Sequence, residues 1–230
     1  IKSYMSLTQL LQNNHENKNL KKILKECKKI SKSNLETHLD GIAAPLTLAA
    51  YFSCPEAIKV LLGRRSNINQ IGNEGSPPIF WAFMGDDLKT IDILLEPKKK
   101  KELPDLTIKN STGKTPLFPL CSHLNHPRYL IQAIEMIGER EFKRMVNETS
   151  DSGETLLSCC LECMTNYKDK KDTLDLEAAY RNIIEKIEIL IEHGADIRKM
   201  INLNGQEYSL LDFINNNKLI SNFPDIAENL

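Results

Sequence analysis

The chain has 230 residues, 41% of them hydrophobic and 27% charged, with a formal net charge of −1. That supplies enough apolar side chain for one large or two small cores, while no apolar run approaches the ~20 residues of a membrane span. The near-neutral total hides eight Lys against two Glu over residues 1–35 and eight Lys/Arg against sixteen Asp/Glu over 148–230. This asymmetry is too diffuse to form a nucleic-acid stripe, so neither nucleic acid nor membrane is an expected partner. Six cysteines without framework spacing point to a reducing, cytoplasmic setting. A first residue of Ile1 implies a processed or partial chain, outside which a further domain can lie.

In chain order, residues 4–14 and 18–30 read as two amphipathic helices, the second with Leu20, Ile23, Leu24 and Cys27 on one stripe. A recurring unit follows. The segments "IAAPLTLAA" (42–50), "GSPPIFWAF" (75–83), "GKTPLFPLC" (113–121) and "GETLLSCCL" (153–161) align, and "GQEYSLLDF" (205–213) is a looser fifth copy. Pro45, Pro78, Pro116 and Leu156 are spaced by 33, 38 and 40 residues. Each of the first four copies leads into a second helical pattern: 56–62, 87–95, 128–137 and 183–191. Thr115 suits a helix N-cap and Pro116 the first helical position. Gly113 and Gly194 suit left-handed turns, and Ala49 and Ala82 allow close helix packing.

With "GKTPL" at 113–117 and "HGADI" at 193–197, this series resembles the ankyrin repeat, a helix–turn–helix unit of about 33 residues marked by T-P-L-H-x-A. The resemblance covers roughly residues 36–214. It implies an all-α solenoid with short hairpin loops and helical caps at both ends. As a single domain over 1–230, it divides into an N-terminal cap (1–35), repeats at 36–70, 71–108, 109–146 and 147–200, and a degenerate repeat with C-terminal cap at 201–230. Departures are visible. Thr47, Phe80, Phe118 and Ser158 stand where the family has histidine, and Pro119 interrupts an inner helix. The exit loop 96–105 is expanded, and 165–182 is inserted as a loop or an extension of the outer helix.

Candidate chemistry is sparse. The Gly-Lys-Thr at 113–115 lacks the glycine that a phosphate loop needs five residues earlier, where Ile108 stands, and Pro116 has no N–H to offer an anion. Cys160-x-x-Cys163 has no second ligand pair, so no metal is expected. In the repeat register Cys160 replaces a core alanine, while Cys159 and Cys163 are expected to be more exposed. Cys121 with His123 or His126 carries no catalytic signature, and Lys98–Lys101 reads as a solvated loop. No catalytic residue, cofactor or small-molecule substrate is expected.

The resemblance implies a concave face that binds another protein. Positions three, six and seven after Pro45, Pro78, Pro116 and Leu156 should face it: Leu48, Tyr51 and Phe52; Trp81, Met84 and Gly85; Pro119, Ser122 and His123; Cys159, Glu162 and Cys163. Hairpin-tip residues Asn73, Glu74, Ser111, Thr112, Lys114, Ser152 and Glu154 would add specificity. The expected partner-binding set is Tyr51, Phe52, Asn73, Glu74, Trp81, Met84, Lys114, Ser122, His123 and Glu162. The alternative is the targeting part of a larger enzyme, or a secreted bacterial effector acting in the host cytosol.

Overall fold

Proline fixes where several helices begin, because its locked φ is already helical and its missing N–H costs nothing in the first turn. In a computed structural model describing residues 6–72, 74–96, 103–168, 176–203, 206–209 and 211–213, Pro45 opens α3 (Pro45–Tyr51), Pro55 opens α4 (Pro55–Gly63) and Pro78 opens α5 (Pro78–Gly85). The residues before Pro45 and Pro78 are extended, at ψ 157 and 165°, as the proline ring demands. Before them lie α1 (Leu7–Gln12), closed by a Ser6–Gln9 capping box, and α2 (Leu20–Lys29). Helix α6 (Leu88–Leu95) starts on the Asp87 carboxylate, which accepts from the Thr90 N–H at 3.1 Å. The remaining helices are α7 (Leu117–Ser122), α8 (Arg128–Ile137), α9 (Glu139–Met145), α10 (Leu156–Lys168) and α11 (Leu176–Glu192). An antiparallel pair, β1 (Ile201–Leu203) and β2 (Gln206–Tyr208), follows in register Ile201↔Tyr208.

The chain divides into two compact units, residues 1–111 and 112–230. In the first, α1, α3 and α5 pack in one row and α2, α4 and α6 in a second, each helix also touching its partner across the rows. Leu46, Ala49, Ala50, Ile79, Ala82 and Phe83 are buried on α3 and α5; Ile58, Leu61, Ile91 and Leu94 are buried on the second row. The alanines let the helices approach closely, as their small size predicts. In the second unit α7 packs on α10, α8 on α11, and each row on the other. Ile23 and Cys27 of the basic α2 are fully buried, so the Lys-rich face is the outward one.

The tips repeat one hydrogen-bond pattern. Leu39 and Ala43, Gly72 and Ser76, and Ser150 and Glu154 each close a loop by an N–H to carbonyl bond of 2.9, 3.3 and 2.9 Å. Successive tips are joined by backbone bonds, Ser111 N–H to Glu74 O (2.9 Å) in the first unit and Asp151 N–H to Thr112 O (3.0 Å) in the second. Thr47 Oγ1 donates to Gln70 O at 2.9 Å, 23 residues on, so a hydroxyl ties the helix start to the approaching loop where the family has imidazole.

Gly113 sits at φ +72°, and a Cβ there would lie 2.7 Å from Asp151 Oδ1 and 3.2 Å from the Asp151 backbone N; Gly153, at φ +83°, has open space. Gly113→Ala is expected to cost about 2 kcal/mol and Gly153→Ala about 1, since only the first adds a clash to left-handed strain. Urea unfolding of the two variants tests this; equal costs would mean the 113 and 151 tips are not in contact.

Several expectations are corrected. Thr115 does not cap α7: the helix begins at Leu117 after Pro116, without a side-chain cap bond, and Thr115 is buried. The Thr115 carbonyl instead accepts from Phe118 at 3.0 Å, while Pro119, lacking an N–H, leaves the short helix poorly bonded. Capping by threonine occurs one repeat later, where Thr155 and Ser158 bond reciprocally at 2.8 and 3.1 Å. The inserted segment lengthens both helices, to Lys168 and from Leu176; its centre lies outside the described residues, as do Lys98–Lys101 and most of the proposed C-terminal cap. Helix α9 was not expected from the repeat pattern.

Candidate functional site

Helix α5 sorts its residues by face. Ile79, Phe80, Ala82 and Phe83 are buried, whereas Met84 is exposed and Trp81 half-buried. The end of α3 does the same with Tyr51 (53% exposed) and half-buried Phe52, following a buried run from Pro45 to Ala50. Their aromatic rings converge: exposed Tyr51 meets Phe52 edge to face at 4.9 Å between centroids and Trp81 at 5.0 Å, with buried Phe80 5.5 Å from Trp81. Such pairs hold each other's rings in place.

The cluster lines a groove of about 550 Å³ in the first unit. One side is Thr8 and Gln12 of α1; the tips bring Ile42 and Glu74, and Gly72 lies in the lining with 3.2 Å between its would-be Cβ and that of Ala43. Tyr51, Phe52, Glu74 and Trp81 of the expected set therefore share one cavity, with Met84 exposed on the same helix as Trp81. Asn73 lies outside the described residues. Ile42, Ile71 and the two α1 residues had not been anticipated. Ile42 and Ile71 are exposed and apolar beside the tips, and an exposed apolar side chain next to a groove was a signal available in the "DGIAAP" and "NQIGN" segments.

Lys114, Ser122, His123 and Glu162 fall in the second unit. Lys114 Nζ meets the Glu154 carboxylate at 2.8 Å, both side chains about a quarter exposed. Burial pushes the Glu154 carboxyl up, but hydrogen bonds from Lys114, Ser152 and Ser150 outweigh it and hold it below the usual glutamate range. A depressed folded-state value adds stability above the unfolded-state value and loses it as pH falls through the folded one. Glu154→Gln should therefore cost under about 1 kcal/mol at neutral pH, given the exposure of the pair. That difference from wild type should vanish on acidification below the glutamate range; thermal unfolding across pH checks it.

Ser122 and His123 bond to one another at 2.9 Å at the end of α7. Burial pulls the His123 imidazole below its ordinary value, opposed by the Pro119 carbonyl and aided by Lys186. Beneath them Lys186 of α11 is completely buried, its ammonium donating to the carbonyls of His123 (2.6 Å), Leu120 (3.1 Å) and, at longer range, Cys121 (3.5 Å). A cation here closes the carbonyl end of α7, where the helix dipole is negative.

All six cysteines are free and buried, which corrects the expected exposure of Cys159 and Cys163: the long α10 turns both inward against its neighbours. Burial pushes Cys27 up to about 12 and Cys159 higher, while Cys121 is raised by its hydrogen bond to Cys160 together with burial. Cys160, on the other side of that hydrogen bond, is instead held below the usual thiol range by Cys121, against its burial and with help from Lys186. Buried thiols pushed upward, as Cys27, Cys121 and Cys159 are, make poor nucleophiles. Among the described residues no group of three or more His, Cys, Asp and Glu is placed to hold a metal ion, and no helix is long and apolar enough to cross a membrane.

Paired helices in two rows, joined by recurring hairpin tips, define an ankyrin-type helical repeat fold. Compared with solved structures, the chain is similar to the crystal structure of an ankyrin repeat protein, with a TM-score of 0.55 and 19% sequence identity over 94% of each chain. No family model and no curated protein matches the sequence.

Proposed function

We propose that the chain is a non-enzymatic interaction module that binds a partner protein through the groove of its first unit and the adjoining tips. The observation that carries this is the aromatic cluster Tyr51–Phe52–Trp81, held edge to face yet left partly open to solvent beside Ile42 and Met84. Leaving a preorganised Tyr–Trp pair in water has a cost that a binding surface explains, because such residues contribute most to interface energies. The fold agrees with this role without establishing it. Lys114, Ser122, His123 and Glu162 form a second proposed patch, in which Lys114 acts through its pair with Glu154.

A photo-crosslinking residue placed at Tyr51, with one at exposed Ile131 of α8 as control, tests the reading. Position 51 is expected to give a discrete protein adduct in a lysate of the source cells and position 131 none. Equal adducts at both positions, or none at 51, would remove the groove from consideration.

A further inference from the structure

We infer that the groove accepts an arginine side chain from its partner, a specificity that rests on the binding role proposed above. Glu74 is the one charged residue among the described groove-lining residues. Its backbone carbonyl is engaged by Ser111, which fixes the tip, but its exposed carboxylate has no ion-pair or hydrogen-bond partner among the described residues. The acid at the tip of the second unit, Glu154, is by contrast already neutralised by Lys114. A single unpaired carboxylate in a cavity whose other lining is uncharged, with Tyr51, Phe52, Trp81, Ile42 and Leu48 supplying its apolar part and Gln12 a neutral amide, is electrostatically complementary to one cation with an apolar stem.

Arginine meets these terms better than lysine. Its methylenes pack along apolar surface, its planar guanidinium stacks on Tyr or Trp, and its forked donors match a carboxylate. The lysine ammonium is compact and strongly hydrated, and it gives up more water on entering such a site. The groove thus combines an aromatic platform with a carboxylate at one edge.

The chain's single tryptophan lies in this groove, so its fluorescence reports binding there directly. A phage-displayed random dodecapeptide library selected on the full chain supplies the probes, which are then synthesised and titrated. Peptides that shift Trp81 emission are expected to share an arginine at one aligned position. Replacing that arginine with norleucine should weaken binding at least tenfold. Glu74→Gln should weaken the arginine peptide about fivefold and leave the norleucine peptide within twofold. Peptides that shift Trp81 but tolerate norleucine, or ignore Glu74→Gln, would overturn the arginine assignment while leaving the groove reading intact. Lysine performing as well as arginine would overturn the guanidinium argument. Failure to select any peptide that shifts Trp81 would count against both.

Discussion

Replacing Lys186 by Met is expected to destabilise the protein by about 3 kcal/mol, one of the two largest effects among the substitutions considered. Methionine keeps most of the stem's volume, so the loss isolates the donors. Without them the Leu120 and His123 carbonyls, at the end of α7, lose their bonds at 3.1 and 2.6 Å, where Lys186 and Leu120 have no exposure and His123 is half-buried. Because α7 is only six residues long and contains Pro119, it has few internal bonds with which to compensate. Lys143→Met, removing an exposed pair with Glu139 at 2.7 Å, serves as the control and should leave the transition unmoved. Chemical unfolding with equal midpoints for wild type and Lys186→Met would show that α7 does not depend on this cation.

Phe83→Ala should cost about 3–5 kcal/mol, the range for emptying a closed aromatic site. Phe83 has no exposure on α5, which packs against α3 and α6. Its neighbour Met84 is exposed on the same helix, and Met84→Ala should stay within about 0.5 kcal/mol. The comparison measures how α5 divides between core and groove. Similar losses from both substitutions would mean that the helix presents a different face.

Much of the fold was legible because its punctuation is chemical. Pro45 and Pro78 mark helix starts by fixing φ, and Gly113 and Gly194 occupy the left-handed conformations, at φ +72 and +93°, that favour glycine. Convergence of Tyr51, Phe52 and Trp81 was legible too, since repeat register places equivalent positions side by side, whereas Glu74 was expected only at a hairpin tip and its place in the same groove was not read. Thr115 was misread because side-chain capping depends on backbone geometry that Pro116 and Pro119 alter. Cys159 and Cys163 were misassigned because helical period groups residues onto faces without saying how many faces are covered. The long α10 is covered on more than one. Lys186 carried a readable signal, lying in line with Ile183, Ile187 and Leu190 on the buried stripe of α11, where a charged residue needs a buried partner. Its acceptors, more than 60 residues away in sequence, could be found only in three dimensions.

The central claim is that Tyr51 and its aromatic neighbours form a binding surface rather than core. The direct measurement is a parallel determination of thermal unfolding and of affinity for the protein crosslinked at position 51, on wild type and Tyr51→Ala. At 53% exposure, Tyr51 should be dispensable for stability, moving the midpoint by no more than about 2 °C. As an interface anchor it should be costly to lose, lowering affinity about thirtyfold. A Tyr51→Ala variant that melts many degrees lower, or binds its partner as tightly as wild type, would contradict the account.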